Sequence, residues 1–253
     1  MLQLYSIVLW GIYGVSALVL ALLLFVTAPY GRYNRGGWGI SIKPRWAWFV
    51  MESPAAIVIL AMAALGRERG LYPLIFLGMW EFHYVYRSFV YPFLMRQAGP
   101  KNFPVVIILM AMLYNCANGF VNGYFLFRLP HAYPPGYFVD PRFALGVLLF
   151  FAGFFIHASS DSILRSLRSG GEGGGAYAIP YGGMFRFVSS PNYFGEILQW
   201  SGFALASWSV AGLSFAVFTL ANLLPRGLSH HRWYRERFPD YPAERRAVLP
   251  FLL

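Results

Sequence analysis

Charge is scarce in this chain. Of its 253 residues 12% are Asp, Glu, Lys or Arg, about half the share of a soluble domain. Acidic residues are scarcest, 10 against 20 basic ones, for a net charge of +10. Cysteine occurs once, at Cys116, which excludes an intramolecular disulfide and any thiolate zinc site. Residues 1–28 lack both a basic n-region and a small-residue cleavage site, so this first apolar stretch reads as a retained span and not as a signal peptide. No basic patch sits on a soluble module, so the positive charge does not point to nucleic acid. No internal repeat and no soluble domain boundary is visible.

What the chain has in abundance is oil: 58% of it is hydrophobic and 19% aromatic. The apolar runs are too long and too frequent for a water-soluble core. Seven candidate spans are read at roughly 3–28, 46–65, 71–95, 103–127, 142–166, 191–207 and 209–224, each near the ~20 residues needed to cross a bilayer. Glycine and proline punctuate the joins, and Ser190-Pro191 offers an N-cap followed by proline at the first helical position. Basic residues concentrate in the loops 29–45, 96–102 and 165–190 and in the tail 225–253. The opposite side holds Arg67, Arg69, Arg128 and Arg142. The expectation is one all-α, multi-pass membrane domain of seven transmembrane helices, with the N-terminus outside and the C-terminus cytoplasmic. The host membrane is a bacterial inner membrane or the endoplasmic reticulum.

Within these oily segments lie Glu52, Glu81, Arg87, Asp161 and Glu196. An ionisable group in hydrocarbon costs roughly 2.5–3.5 kcal/mol on insertion scales unless it faces a partner or a polar cavity. Five of them predict a polar site enclosed by the bundle. Glu52 follows the tryptophan-rich stretch 45–51; a carboxyl is cheapest there when neutral, and a neutral carboxyl donates a hydrogen bond. The alternative is an ion pair with Arg87. Tyr84, Arg87 and Tyr91 share a helical face, either as helix glue or as a phenol donor beside a cation. Asn115, Asn118 and Asn122 repeat the same spacing, as interhelical glue or as a polar wall beside a ligand.

His157, Asp161, Arg165 and Arg168 form a stripe running toward the basic side. A His/Asp pair without a third ligand is a poor metal site, so no metal is expected, and arginine at the wet end suits phosphate or ribose. Asn192 and Glu196 open the sixth span, where the helix dipole favours a carboxylate, yet Glu196 is flanked by Phe194, Ile197, Leu198 and Trp200. Residues 170–175 read GGEGGG. With Ala176 they match a dinucleotide fingerprint formally, but no strand precedes them and a Rossmann unit is rejected; a ligand-closing loop or a plain linker remains. The tail interleaves arginines with aromatics, which predicts that it packs back on the bundle, with binding of lipid headgroups as the alternative.

Together these motifs resemble the steroid 5α-reductase family, over nearly the whole chain. The likeness is greatest in residues 182–197, GGMFRFVSSPNYFGEI, and 230–242, HHRWYRERFPDYP. His83-Tyr-Val-Tyr-Arg-Ser-Phe-Val-Tyr91 and Trp48-Phe-Val-Met-Glu52 resemble the family's substrate-end motifs. The resemblance implies an NADPH-dependent 3-oxo-5α-steroid 4-dehydrogenase that reduces the C4=C5 bond of a 3-oxo-Δ4 steroid, with a cofactor site facing the cytoplasm. Carried over residue by residue, it implies that Glu52 and Tyr84 bind the 3-oxo group as catalytic residues, with Trp48 and Arg87 lining the substrate pocket. It implies that Asp161, Arg168, Tyr177, Asn192, Glu196, His230, Tyr234 and Arg245 hold NADPH. Residues 1–130 would then be mainly the substrate end and 140–253 mainly the cofactor end, with an ordered cytoplasmic tail. Met51 departs from the family's glutamine and His157 from its asparagine.

Three other readings compete. A membrane methyltransferase using S-adenosylmethionine has a related cofactor region, but this tail has Arg235-Glu-Arg237 where those enzymes share an adjacent Glu-Glu pair. A reductase of another lipid enone or enoyl substrate fits the same pocket chemistry. A transporter could use buried charges as a path, but no inverted repeat supports one.

Overall fold

The computed structural model describes residues 1–28, 33, 37–95, 102–130, 133–167 and 177–253. Arg168 and the glycine-rich run 170–175 lie outside the described residues, as do Arg32, Arg35, Arg96 and Lys101.

The chain is built from α1 (Leu2–Phe25), α2 (Pro44–Leu65), α3 (Leu71–Val85), α4 (Tyr91–Leu94), α5 (Val105–Arg128), α6 (Pro141–Leu167), α7 (Pro191–Ser207) and α8 (Val210–Arg237). A π-helical turn, Tyr86–Val90, joins α3 to α4. Two short strands, β1 (Ser41–Ile42) and β2 (Phe103–Pro104), pair antiparallel with Ser41 opposite Pro104. Among the described residues five helices are long and apolar enough to cross a membrane: α1, α2, α5, α6 and α8. The chain is a mostly helical integral membrane protein. Each of the seven expected spans coincides with helix, but the third is broken by the π turn and α7 is only 17 residues long. The last helix continues well past residue 224, through Pro225 to Arg237.

Local chemistry explains the helix boundaries. Proline occupies the first turn of α2 and of α7, where its missing N–H is not needed. Ser190 is the N-cap residue of α7, but its hydroxyl makes no capping bond and is buried without a partner. Ser209 does cap α8, accepting from Gly212 N at 2.9 Å. Pro92 has no N–H for the Ser88 carbonyl, and the helix widens into the π turn just before it. Inside α2, Pro54 deprives the Val50 carbonyl of its usual donor, and Ser53 Oγ replaces it at 3.5 Å.

Two helix pairs position the site, and glycine lets each approach closely. On α6 and α7, Gly146 and Gly153 face Gly202 and Gly195. A Cβ on Gly195 would lie 2.5 Å from His157 N, and one on Gly202 would lie 2.5 Å from Phe150 N. On α5, a Cβ at Gly119 would lie 3.2 Å from Val58 Cβ of α2, and one at Gly123 would lie 2.6 Å from Met62 Cβ. Small residues at contact points are how membrane helices gain van der Waals packing without help from the hydrophobic effect. An aromatic core fills the space between α3, α6, α7 and α8. Trp80, Trp200 and Phe203 are at most 1% exposed there, and Trp80 Nε1 donates to Ala55 O at 3.1 Å.

The C-terminal segment returns to α7. Ser189 N and Ser190 N donate to Arg246 O and Ala247 O at 2.8 and 3.1 Å, and Val248 is fully buried over Gly227 of α8.

Candidate active site

The π turn, α6 and α7 bring an arginine, two acids, a histidine and an amide to one buried place. Arg87 Nη1 lies 3.4 Å from Asp161 Oδ2, and Nη2 lies 4.0 Å from Glu196 Oε2. His157 sits between the same acids, with Nε2 3.6 Å from Asp161 Oδ2 and Nδ1 3.6 Å from Glu196 Oε2. Asn192 Nδ2 donates to Asp161 Oδ1 at 3.1 Å. One helical turn on α6 separates His157 from Asp161, and one on α7 separates Asn192 from Glu196. The glycine-mediated approach of those helices interleaves the two pairs.

Arg87 also meets two of the aromatics expected at the substrate end. Its guanidinium lies 4.2 Å from the Trp48 ring centroid and 4.7 Å from that of Tyr91. This sandwich desolvates a cation whose charge is answered by the carboxylates behind it. Expected as a substrate-pocket residue, Arg87 therefore touches both Trp48 and the acids Asp161 and Glu196. Among the described residues no ion pair joins it to Glu52. Glu52 is held from α5 instead: Asn115 Nδ2 donates to Glu52 Oε2 at 3.3 Å and to Met51 O at 2.6 Å. Tyr84 is 2% exposed and packs against Trp80 and Trp200.

The remaining candidates lie in or near the tail. Arg245 is buried, donates to Pro180 O at 3.0 Å, and stacks 4.9 Å over Tyr181 and 5.2 Å over Tyr241. Tyr234 stacks on Tyr241 at 5.3 Å. His230 lies against Tyr193 and Tyr33, at 5.3 and 5.6 Å between ring centroids. Tyr177 meets the edge of Trp233 at 5.2 Å. These four form an aromatic and cationic rim with their neighbours Tyr33, Tyr181, Tyr193, Trp233 and Tyr241.

Two features escaped the sequence. His83 and Gln199 are both buried and joined at 3.1 Å, directly behind Tyr84 and His157. Ser189 binds His231 Nδ1 and Tyr241 OH, each at 2.6 Å. A lone histidine or glutamine in an apolar helix was the available signal for the first pair. Nothing local signals the second, whose partners are 42 and 52 residues apart. The spacing Gly146/Gly153 and Gly195/Gly202 could have announced the α6–α7 contact.

Among the described residues, three buried nitrogens of the π turn and α6 are left without a hydrogen-bond partner. His157 Nε2, Arg87 Nε and Arg165 Nη1 form no hydrogen bond. Polar hydroxyls and amides of a nicotinamide dinucleotide can answer the inner groups, and its phosphates suit Arg165 and Arg245, so the residues present fit that cofactor.

The fold and this cluster define a helical membrane protein with a buried, charged interior. A family model described as 3-oxo-5-alpha-steroid 4-dehydrogenase matches residues 101–253. The chain is 43% identical to bovine (Bos taurus) 3-oxo-5-alpha-steroid 4-dehydrogenase 1 over 92% of this chain and 90% of that protein. It is 40% identical to steroid 5-alpha-reductase DET2 of Arabidopsis thaliana over 91% and 90%. It is 41% identical to pig (Sus scrofa) 3-oxo-5-alpha-steroid 4-dehydrogenase 2 over 92% and 91%. The chain belongs to the steroid 5α-reductase family, and so to the oxidoreductases of steroid metabolism.

Proposed function

We propose that this protein reduces the C4=C5 double bond of 3-oxo-Δ4 steroids with NADPH. The observation that carries the reading is the position of Arg87: one face lies on Trp48 of the substrate end, and its ends reach Asp161 and Glu196 of the cofactor end. Substrate and cofactor chemistry therefore meet at one residue. Family membership favours a reductase over a methyltransferase, and its relatives' names favour a steroid over other enones.

Bound NADPH supplies the hydride. Asp161, Asn192 and Glu196 hold its inner polar groups, while Arg168, Tyr177, His230, Tyr234 and Arg245 hold its outer part. Trp48 and Arg87 border the steroid. Tyr84 and a neutral Glu52 donate hydrogen bonds to the 3-oxo oxygen, where negative charge grows as the double bond is reduced. Donors aimed at developing charge in a dry site lower the barrier, and losing one typically costs about 100–1000-fold in rate. The aromatic core excludes water from this reaction and suits a rigid apolar substrate.

The topology that serves this function crosses the membrane seven times, with the N-terminus outside and the C-terminus in the cytoplasm. Basic loops and tail then share the compartment that contains NADPH. Residues 1–130 form mainly the substrate end and 140–253 the cofactor end.

The test is detergent-solubilised protein incubated with NADPH and a 3-oxo-Δ4 steroid, scored for the 5α-reduced product. Tyr84→Phe should bind NADPH normally and turn over far more slowly. NADPH binding without steroid product moves the substrate to another enone; binding of S-adenosylmethionine in place of NADPH overturns the reading.

A further inference from the structure

Asn115 holds two neighbours with one nitrogen. It is buried on α5, and its Nδ2 donates to the Met51 carbonyl of α2 at 2.6 Å and to Glu52 Oε2 at 3.3 Å. Gly119, one turn further along α5, brings the helices together. A Cβ there would lie 3.3 Å from Ala55 O, so a short side chain on the same face reaches across to α2. The bond to Met51 fixes which way the amide faces. A backbone carbonyl only accepts, so the NH2 end must point at it, and the second N–H of the same group serves Glu52. Among the described residues that is the one hydrogen bond of the Glu52 carboxyl, and Oε1 is left open. Holding α5 to α2 needs only the bond to Met51; the bond to Glu52 has a further consequence.

We propose that Asn115 is a positioning residue for the reduction: by donating to Oε2 it assigns the carboxyl proton of Glu52 to Oε1, the oxygen that donates to the substrate. The inference rests on the reading in which a neutral Glu52 donates to the 3-oxo oxygen. A phenol such as Tyr84 has one oxygen and one proton. A neutral carboxyl has two oxygens, a carbonyl that accepts and a hydroxyl that donates, and either can be either. An N–H at Oε2 is answered best by the carbonyl oxygen, so the hydroxyl falls on Oε1. With no donor at position 115 the proton sits on either oxygen, and the carboxyl turns freely about its last bond. The donors run in one sense, from Asn115 through Glu52 to the oxygen where charge develops. Hydrogen bonds in such a chain polarise one another, so the Asn115 bond strengthens as that charge grows. The gain falls on the transition state more than on substrate binding.

The full-length protein in detergent, with NADPH saturating and testosterone as the probe, is assayed in a double-mutant cycle of Asn115→Leu and Glu52→Met. Asn115→Leu is expected to lower kcat by about tenfold, with the steroid KM and the NADPH Kd each within about twofold of wild type. In the Glu52→Met background the same substitution should change kcat by less than about twofold, because no proton is left to place. Asn115→Ser keeps a polar group too short to reach both partners and should show most of the loss; it replaces Asn115→Leu in the cycle if that variant fails to bind NADPH. Equal losses in both Glu52 backgrounds, or a change confined to KM, make Asn115 a packing residue and overturn the positioning role while leaving Glu52 as a donor. Full activity of Glu52→Met alone overturns the donor reading, and the positioning role with it.

Discussion

Arg87 on the π turn and Asp161 on α6 lie 3.4 Å apart, both nearly excluded from solvent. In apolar surroundings neither charge is stable alone, so the pair must be judged by what its loss leaves behind. Removing one partner of a buried pair costs about 3–5 kcal/mol, because the other stays charged and dry. Arg87→Gln should therefore destabilise the protein by an amount in that range, read as a lowered midpoint of thermal unfolding in detergent. Asp161 and Glu196 would be left with His157, and Asp161 with the Asn192 amide, and with no arginine between them. Arg87→Lys keeps the charge but loses the flat guanidinium that fits between Trp48 and Tyr91, and should fall between wild type and Arg87→Gln. A lysine variant as stable as wild type would remove the argument from stacking.

The α6–α7 contact makes a sharper prediction. A methyl group at Gly195 would lie 2.5 Å from His157 N and 2.6 Å from Gly153 O, both backbone atoms. Backbone cannot swing aside, so the helices must part, and His157 and Asp161 move away from Asn192 and Glu196. Overpacking of this kind costs about 1–3 kcal/mol and here also separates the cluster. Gly195→Ala should lower both stability and turnover. Gly14→Ala on α1 is the control: nothing lies within 4 Å of a Cβ there, so the added methyl should be neutral or mildly stabilising in thermal unfolding.

Much of this was legible in the sequence, and the limits are instructive. The long apolar runs located α1, α2, α5 and α6 to within a few residues, because a bilayer demands unbroken hydropathy. The end of α8 was missed. Its last turns carry arginines and histidines that read as tail, yet His231 is held by Ser189 and Tyr234 stacks on Tyr241. The π turn was invisible, since it depends on one missing N–H at Pro92 and not on composition. Spacing along one helix grouped His157 with Asp161, and Asn192 with Glu196. It could not show that the pairs interleave, because that depends on close approach between two helices. For the same reason Arg87 was read with the substrate end alone. The asparagine stripe was recognised, but its bonds to Glu52 and within α5 required coordinates.

Asp140 supplies a pH test away from the site. It lies before α6, where its Oδ1 accepts from Arg142 N at 2.8 Å and Oδ2 accepts from Arg142 Nη2 at 2.6 Å. The Arg142 hydrogen bonds hold its carboxyl down at about 2. A depressed folded value means the contribution is complete above the carboxyl's unfolded range, near pH 4, and is lost as pH falls toward 2. Stability of the loop 133–140 should be flat from pH 7 to about 5 and then fall. Asp140→Asn keeps the cap but removes the charge, and should flatten the acid limb of the unfolding profile. An unchanged acid limb in that variant would show that other carboxylates govern it.

The tail is fastened at Ser189, whose hydroxyl meets His231 of α8, Tyr241 and the Arg246 carbonyl, at 2.6, 2.6 and 3.1 Å. One small side chain thus ties the approach to α7 to both the last helix and the C-terminal segment. Ser189→Ala leaves the other groups buried without their common partner, at about 1–3 kcal/mol. The rest of the bundle does not depend on this bond, so the effect should be local. The expected result is faster proteolysis after residues 235–246 with little change in the global unfolding midpoint. Because the proposed NADPH residues Tyr234 and Arg245 lie on the two elements that Ser189 ties together, the NADPH Kd should rise as well. Tyr241→Phe removes one of the three bonds and should show the same changes to a smaller degree. If Ser189→Ala instead lowers the global midpoint without exposing the tail to protease, the hydroxyl belongs to the cooperative core and not to a separate fastening.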